Sequence, residues 1–310
     1  MSKTVIREVI LAKIEATYNT DPVPVEGTDA MLVGNASWAF EGVRMNERTA
    51  VRGTLGMLPQ VYGGALKTVS FDAEVKGSGA AGTAPEIGPL LRACGLDETI
   101  VASTSVTYAP VSTGHESITI YYYQDGQRHI LTGCRGNVSF SMEAGGIVKG
   151  SFTFTGHSVN QTDTALASPT YNALVPEPYL NAAFTIDGYS AAIAALSFDL
   201  GNQLAMPADV SAVDGYSDIQ IVSRDVNGSF DPEMTTEAVE AWEANFRSGA
   251  LMALAAGSFG SAGNIVSITM PEVYYREIAP GDRDGIRTYD ISFGSVDVTT
   301  ADSEVSIAFT

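Results

Sequence analysis

Cysteine and histidine are scarce in this chain, which holds two cysteines and three histidines among 310 residues. Cys94 and Cys134 lie far apart in the sequence and neither belongs to a CxxC pair. The pattern therefore predicts neither a zinc site nor a disulfide framework. We expect both residues to be buried, reduced thiols.

Long apolar runs are also missing. No stretch reaches the length of a membrane span. Charged side chains interrupt the first 20 residues, which lack the continuous apolar core of a signal peptide. The sequence therefore predicts a soluble product that is made in the cytoplasm.

Positive charge is in short supply. The chain has 17 Lys and Arg residues against 36 Asp and Glu residues, a net charge of −19. Residues 1–165 hold 16 acids and 12 bases, and residues 166–310 hold 20 acids and 5 bases. Proteins that grip nucleic acid neutralise phosphates with Lys and Arg, so this balance disfavours nucleic-acid binding.

Motifs that carry catalysis or bind cofactors are lacking as well. His115, His129 and His157 are scattered, and the chain has neither a G-x-S-x-G elbow nor a Gly-rich phosphate loop. The DRDG stretch at 282–285 lacks the downstream Glu of a calcium loop and indicates a hairpin turn instead. The sequence predicts no catalytic residue, no cofactor and no metal site.

A five-residue pattern is present twice, as FDAEV at 71–75 and as FDPEM at 230–234. In an extended strand, alternation places the apolar residues on one side and the carboxylates on the other. Four carboxylates are thereby predicted on solvated strand faces: Asp72, Glu74, Asp231 and Glu233. An acid–base pair of a glycosidase is the alternative interpretation. It predicts one aromatic-lined pair in one half only, whereas the pattern occurs in both.

The repeat extends beyond this pattern. A strand at 36–43 corresponds to one at 195–202, and the stretch 129–156 corresponds to 264–294, with Phe154 aligned to Phe293. Each half reads as strand, long excursion, strand, helix and strands, and such internal order is typical of a duplication.

Each half also has one helix signal after its acidic pattern. In the first half a capping box, Thr83 to Glu86, precedes an apolar stripe and Gly95. In the second half Thr235 or Thr236 is the predicted cap and Gly249 the predicted end. The stripes are Ile87, Leu90, Leu91 and Cys94 in the first helix, and Val239, Trp242 and Phe246 in the second.

These patterns together predict a mainly β protein with two tandem β-sandwich or barrel domains, each with one flanking α-helix. The predicted domains are residues 1–165 and 166–310, with a Pro- and Ala-rich linker at 163–181.

A long insertion at 44–66 mixes basic and apolar residues. It is too polar for a core strand and too apolar for a free loop, so it is an interaction arm or, equally, a lid on its own domain. The candidate contact residues are Arg44, Arg48, Arg52, Met57, Leu58 and Tyr62.

Several stretches resemble the major tail tube proteins of long-tailed, siphovirus-type bacteriophages. They are VILAKIEATYNTDPVP at 9–24, TDAMLVGNASW at 28–38 and, most specifically, GSGAAGTAPEIGPLLRACGL at 77–96. The stretch at 106–146 and GSFTFTG at 150–156 are similar too, whereas residues 180–310 resemble the family much less.

The resemblance implies a virion protein of the phage tail, made in the host bacterial cytoplasm, without catalytic residues. It implies tube-like β domains that assemble into stacked rings, with residues 1–30 and the arm joining successive rings. It also implies that genomic DNA passes through the hollow of the rings during ejection without specific binding. The implied partners are further copies of the chain, the tape measure protein, and the tail terminator and distal tail proteins.

Two tube domains per chain require only three copies for a pseudo-six-fold ring, with a six-copy ring as the alternative. The four repeated carboxylates are then candidates for the channel wall, because an anionic wall repels DNA. The competing functions are a carbohydrate-active or an adhesive β-sandwich protein of the tail tip.

Overall fold

A computed structural model describes residues 6–310 of the chain. The first five residues of the predicted inter-ring segment 1–30 lie outside the described residues. Within residues 6–310 there are 22 strands and two short helices, α1 (Gly88–Ala93) and α2 (Trp242–Ser248). The strands are β1 (Glu8–Ile14), β2 (Ala30–Met31), β3 (Val33–Glu41), β4 (Met45–Asn46), β5 (Val61–Tyr62), β6 (Leu66–Glu74), β7 (Leu96–Val101), β8 (Ser105–Pro110), β9 (Ile118–Gln124), β10 (Gln127–Glu143), β11 (Lys149–Ser158), β12 (Thr162–Asp163), β13 (Phe184–Ile186), β14 (Tyr189–Ser190), β15 (Ala195–Asp199), β16 (Gln203–Ala205), β17 (Gln220–Ser223), β18 (Asn227–Phe230), β19 (Met252–Phe259), β20 (Val266–Arg283), β21 (Ile286–Ser295) and β22 (Ser306–Phe309).

The predicted mainly β fold is confirmed. β9 illustrates its cause, since its sequence ITIYYYQ is β-branched and aromatic and every residue but the last is buried. The predicted hairpin at 282–285 is confirmed too: Asp284 and Gly285 have positive φ and join β20 to β21 in a two-residue turn. No helix within residues 6–310 is long and apolar enough to cross a membrane.

The first half forms an antiparallel sheet in the order β2–β1–β9–β10–β11–β6–β3. β10 is 17 residues long. On one side, the first part of β10 pairs with β9. On the other side β10 pairs mainly with β11. A register shift between Thr132 and Arg135 bends the strand between its two parts.

The second half has the same order, β14–β13–β19–β20–β21–β18–β15. The long strand is now β20, with 18 residues. The register agrees with the sequence alignment, because Phe71 pairs with Phe152 and Phe230 pairs with Ile291, which places Phe154 and Phe293 at equivalent positions. The order of elements is thus repeated, while the domain division at 165/166 stays a prediction.

The two halves are joined by strand pairing in two places. β15 pairs with the second part of β10, and β22 lies between β20 and β8. One apolar core, from Ile10 to Phe309, runs through both halves. Residues 164–183 form no helix or strand, consistent with the predicted irregular linker, although Tyr179 within it is buried.

Both helices are shorter than the sequence indicates, and the predicted caps are wrong. α1 begins after Ile87, whose side chain has no hydrogen-bonding group. The capping box does not form, because Glu86 Oε1 accepts a hydrogen bond from Leu32 N at 2.8 Å and Thr83 N donates to Ala80 O instead. α2 begins after Ala241, and Thr235 Oγ1 instead accepts a hydrogen bond from Trp242 Nε1 at 3.1 Å.

The predicted helix ends are confirmed. Gly95 and Gly249 follow α1 and α2 with φ of 81° and 65°, a conformation that glycine adopts without strain. The first apolar stripe is buried throughout, at Ile87, Leu90, Leu91 and Cys94. In the second, only Trp242 is buried, while Val239 and Phe246 are 57% and 39% exposed.

The two cysteines are buried, free thiols, as predicted. Burial raises the pKa of both, which disfavours the thiolate and makes them chemically inert.

Candidate functional site

Eight neighbouring strands share one continuous polar face. Their order is β3–β6–β11–β10–β15–β18–β21–β20, four strands from each half. Apart from Phe40 of β3, which is 55% exposed, the phenylalanines of these strands point into the core, and hydroxyl side chains alternate with them on the other side. The hydroxyl-bearing residues of this polar face include Ser37, Ser70, Ser139, Ser141, Ser151, Thr153, Ser197, Ser229 and Ser292. We call this surface the serine face.

The serine face is concave at the join between the halves. A groove of about 610 Å³ runs along it, lined by residues of β10, β11, β15, β18, β20 and β21. Hydroxyls of the serine face bond across strands: Ser197 Oγ lies 3.0 Å from Ser229 Oγ, and Ser70 Oγ lies 3.1 Å from Thr153 Oγ1. These two cross-strand pairs help to hold neighbouring strands of the face together.

Acids outnumber bases on the serine face. Its carboxylates are Asp72, Glu74, Glu143, Asp199, Asp231, Glu277 and Asp290, and its cations are Lys149, Arg276 and Arg283. The face therefore carries net negative charge.

Asp72 lies on the serine face, as alternation predicts. Ser151 Oγ donates to Oδ1 at 2.6 Å and Asn35 Nδ2 donates to Oδ2 at 2.7 Å. These bonds, with the Ser151 bond foremost and the charge of Lys149 assisting, lower the pKa of the Asp72 carboxyl. Asp72 is thus a charged anchor that ties β6 to both of its neighbours. Glu74, two residues on, lies 3.9 Å from Lys76 Nζ.

The second acidic pattern extends past the end of a strand. β18 ends at Phe230, but the chain keeps its register with β21 beyond it, where Glu233 forms an isolated bridge with Thr288. Pro232 is buried between the half-buried Asp231 and Glu233, so the two carboxylates lie on one side, as alternation predicts. Asp231 Oδ1 accepts hydrogen bonds from the backbone N–H groups of Ala194 and Ala195, both at 2.8 Å, and so holds the start of β15.

Arg283 binds both carboxylates of this second pattern. Its Nη1 lies 3.0 Å from Asp231 Oδ2, and its Nη2 lies 2.9 Å from Glu233 Oε1. No sequence pattern predicts this contact, because Arg283 lies about fifty positions away at the end of β20. Asp72 and Asp231 occupy equivalent positions and both anchor the strand that precedes theirs in the sheet.

The insertion at 44–66 begins and ends in the β4–β5 hairpin, whose base is fixed to the second half. Arg44 Nη1 donates to Gly215 O at 2.9 Å, and its guanidinium lies 3.9 Å from the centre of the Tyr216 ring. The Tyr216 hydroxyl in turn donates to Gly42 O.

The tip of this insertion is exposed. Val51 and Leu55 are each 106% exposed, and Met57 is 85% exposed. Arg48, Arg52 and Tyr62 are exposed as well, and Leu58 is half-buried. Arg52 bonds only within the tip, to the carbonyls of Gly56 and Met57 at 3.3 and 3.4 Å. The structure brings none of these arm residues to the serine face.

The N-terminal segment is used within the chain. Val9, Ile10, Leu11 and Ala12 of β1 are buried, whereas Ile6 is 96% exposed. A role of residues 1–30 between rings stays a prediction that concerns the positions outside this strand.

One group of carboxylates, Asp297, Asp302 and Glu304, is close enough together to suit a metal ion. Arg224 already binds two of the three, with Nη2 2.6 Å from Glu304 Oε1 and 3.2 Å from Asp302 Oδ1. The guanidinium supplies the positive charge that an ion would bring, so we assign no metal there.

A repeated β plan, a broad serine face and an exposed arm define a class of structural protein that presents extended surfaces. A family model described as phage tail tube protein matches residues 6–295, and the chain belongs to this family. The family places the protein in the virion tail and gives it a structural role. A comparison with curated proteins finds no match.

Proposed function

We propose that the chain is the repeating subunit of the tail tube. Copies assemble into stacked rings, and the serine face lines the hollow through which genomic DNA passes during ejection into the host. The observation that carries this proposal is the repeated order of strands, because it makes one concave polar sheet out of both halves.

The size of the sheet suits this role. Strands lie about 4.8 Å apart, so eight strands from each of three copies close a barrel roughly 35–50 Å across, depending on strand tilt. Barrels of 16 to 18 strands already leave an aqueous channel. Such a hollow accommodates a DNA duplex with hydrated space around it.

The chemistry of the serine face suits passage rather than binding. A wall bearing many Lys and Arg side chains would exchange counterions with the phosphates and retain the DNA. The seven carboxylates repel phosphates, and the three cations of the face lie close to acids that reduce their attraction. The hydroxyls of the face are uncharged, so they add no counterion-releasing contact to the phosphates.

Two domains per chain, with a boundary near 165/166, favour three copies per ring over six. The arm at 44–66 projects from the body and is the candidate contact to the next ring. The tape measure protein within the tube, and the terminator and distal tail proteins at its ends, are the proposed further partners.

The carbohydrate-active alternative gains no support from the acidic patterns. A glycosidase needs one carboxyl with a raised pKa as general acid. The contacts of Asp72 lower its pKa. Asp231 and Glu233 are both ion-paired with Arg283, so neither carboxylate is free to approach a substrate. We therefore propose a role without catalysis.

Electron microscopy of the purified full-length protein tests the proposal. Rings or tubes with three chains per ring are expected, counted from averaged end views and from the mass of single rings. Complete rings of six chains would exclude the three-copy arrangement. Monomers at every concentration, or activity on a polysaccharide, would overturn the tube function itself.

A further inference from the structure

The two halves of the chain are joined by a pair of strands, β10 and β15. In the part of the chain that the structure describes, the two strand edges that are equivalent to this pair by the repeat are both unpaired. β15 pairs on one side with β18 and on the other with the second part of β10. In the first half, β3 is the equivalent of β15, and within residues 6–310 it pairs only with β6. In the second half, residues 279–283 of β20 are the equivalent of the second part of β10 and pair only with β21.

We infer that β20 of one copy pairs antiparallel with β3 of the next copy, so that each join between copies repeats the join within the chain. This inference rests on the proposed ring assembly and names the two edges that close it. The partner of each edge is thus a second copy of this chain.

The internal join fixes the register of the proposed one. Phe71 and Phe230 are equivalent, and following their partners across the sheets makes Ser139 equivalent to Ala279 and Asp199 equivalent to Ala39. Ser139 pairs with Asp199 within the chain. Ala279 of one copy therefore lies opposite Ala39 of the next.

Apolar surface at both open edges supports the pairing. At the internal join Phe140 and Phe198 stack with their ring centres 4.8 Å apart, and both are buried. The equivalent residues are Pro280 and Trp38, which are exposed and half-buried in the single chain. Beside them Phe40 is 55% exposed, and its proposed partner Ile278 is half-buried.

Pro280 also explains how the free edge avoids indiscriminate pairing. Tyr289, its partner in β21, donates its N–H to Pro232 O at 2.9 Å, on the side away from β20. The Pro280–Tyr289 pair is therefore of the non-hydrogen-bonded kind, and the Pro280 carbonyl points to the open edge. The edge accepts a hydrogen bond there but donates none, a device that blunts edge strands.

The pairing is head-to-tail, because β3 and β20 are different surfaces of one chain. Such a heterologous contact either closes into a ring or grows without limit. A closed ring requires each join between copies to repeat the angle that the internal join sets between the two halves.

Paired cysteines test the register. Ala39→Cys with Ala279→Cys places two thiols at a non-hydrogen-bonded pair, where Cα atoms lie about 4.5 Å apart, a separation that a disulfide spans. Oxidised tubes of the full-length double variant are expected to give covalent species that end at three chains on non-reducing gels. Each single variant and the wild-type chain are expected to stay single, since Cys94 and Cys134 are buried.

Two matched controls define the result. Ser139→Cys with Asp199→Cys is the equivalent internal pair and should form its disulfide without linking chains. Ser37→Cys with Ala279→Cys is displaced by two residues, a separation of about 7–8 Å, and should not link. Equal linking of this displaced pair would overturn the register.

The outcome separates this inference from the proposed function. Tubes whose Ala39→Cys, Ala279→Cys pair stays unlinked would overturn the inference and leave the tube function standing, whereas a wild-type chain that never assembles would overturn the tube function. If the double variant itself fails to assemble, amide hydrogen exchange of the wild-type chain decides. Slower exchange of residues 36–40 in tubes than in free chains supports the inference, and unchanged exchange there overturns it.

Discussion

Arg283 is ion-paired with Asp231, with Nη1 of the guanidinium 3.0 Å from Oδ2 of the carboxylate. Its other amino nitrogen contacts Glu233, so one cation at the end of β20 is shared by the two carboxylates that follow β18. Because Asp231 also holds the start of β15, this contact links three strands of the serine face.

Arg283→Ala is expected to lower the free energy of unfolding by about 1 kcal/mol, since it leaves two neighbouring carboxylates without their shared cation. Urea unfolding of the purified chain measures the change. Arg287→Ala removes the same charge from an exposed position nearby and should have a smaller effect. Equal losses from the two variants would contradict a specific role of Arg283.

The charge of the proposed channel wall is best tested at carboxylates that do not anchor strands. Glu277→Lys with Asp290→Lys reverses two charges on the serine face, and should leave tubes intact while slowing DNA release from virions. Asp72 and Asp231 are unsuitable, because both also hold neighbouring strands in place. The physical reason for the slowing is that added ammonium groups bind phosphates as the DNA passes.

Asp97→Lys with Glu237→Lys is the matched control for this wall variant, with the same charge change at exposed positions off the serine face. Fluorescence-detected ejection at several salt concentrations compares the two. The delay should be confined to the wall variant and should shrink with added salt. An identical delay in both variants would place the DNA path elsewhere.

His129 makes the stability of the chain depend on pH. Burial, with the nearby charge of Lys67, lowers the pKa of His129 from 6.5 to about 4 in the folded chain. The unfolded chain then binds more protons between these values, so the free energy of unfolding is full above pH 6.5 and falls as the pH drops towards 4. Urea midpoints at pH 7.5 and pH 5 should differ accordingly.

His129→Leu should shrink that difference, although the loss of the 3.2 Å contact to Lys67 Nζ makes the variant less stable at both pH values. His115→Gln is a control at a histidine outside this contact and should keep the wild-type difference. A pH dependence that survives in His129→Leu would assign it to other groups.

How much of this could be foreseen depends on whether a feature is local in the sequence. The succession of strands along the chain follows from alternation and turns, and the aligned Phe154 and Phe293 do occupy equivalent positions. The predicted caps at Thr83 and Thr235 do not form, because their side chains or those of their partners bond elsewhere. Leu32 N donates to Glu86, the predicted partner of Thr83, and Trp242 Nε1 donates to Thr235. Contacts such as that of Arg283 with Asp231 are set by the sheet order, which no local pattern encodes.

The join between the halves was equally hidden from the sequence. β15 reads as an ordinary strand, and only the structure shows that its outer edge is covered by β10 while the equivalent edge of β3 is open. The family match supports the tube role, and the pattern of covered and open edges supports its geometry.

The arm provides the last test. Val51→Ser, Leu55→Ser and Met57→Ser together should leave the unfolding midpoint unchanged, because these side chains are 85–106% exposed in the single chain. If the arm joins successive rings, the triple variant loses apolar area that only stacking buries, and single rings should accumulate in place of long tubes. Tube lengths measured by electron microscopy decide the outcome. Val210→Ser with Val213→Ser, at 104% and 108% exposure on another loop, serves as the control and should leave tube length unchanged. Long tubes from the triple variant would show that the rings stack through other surfaces.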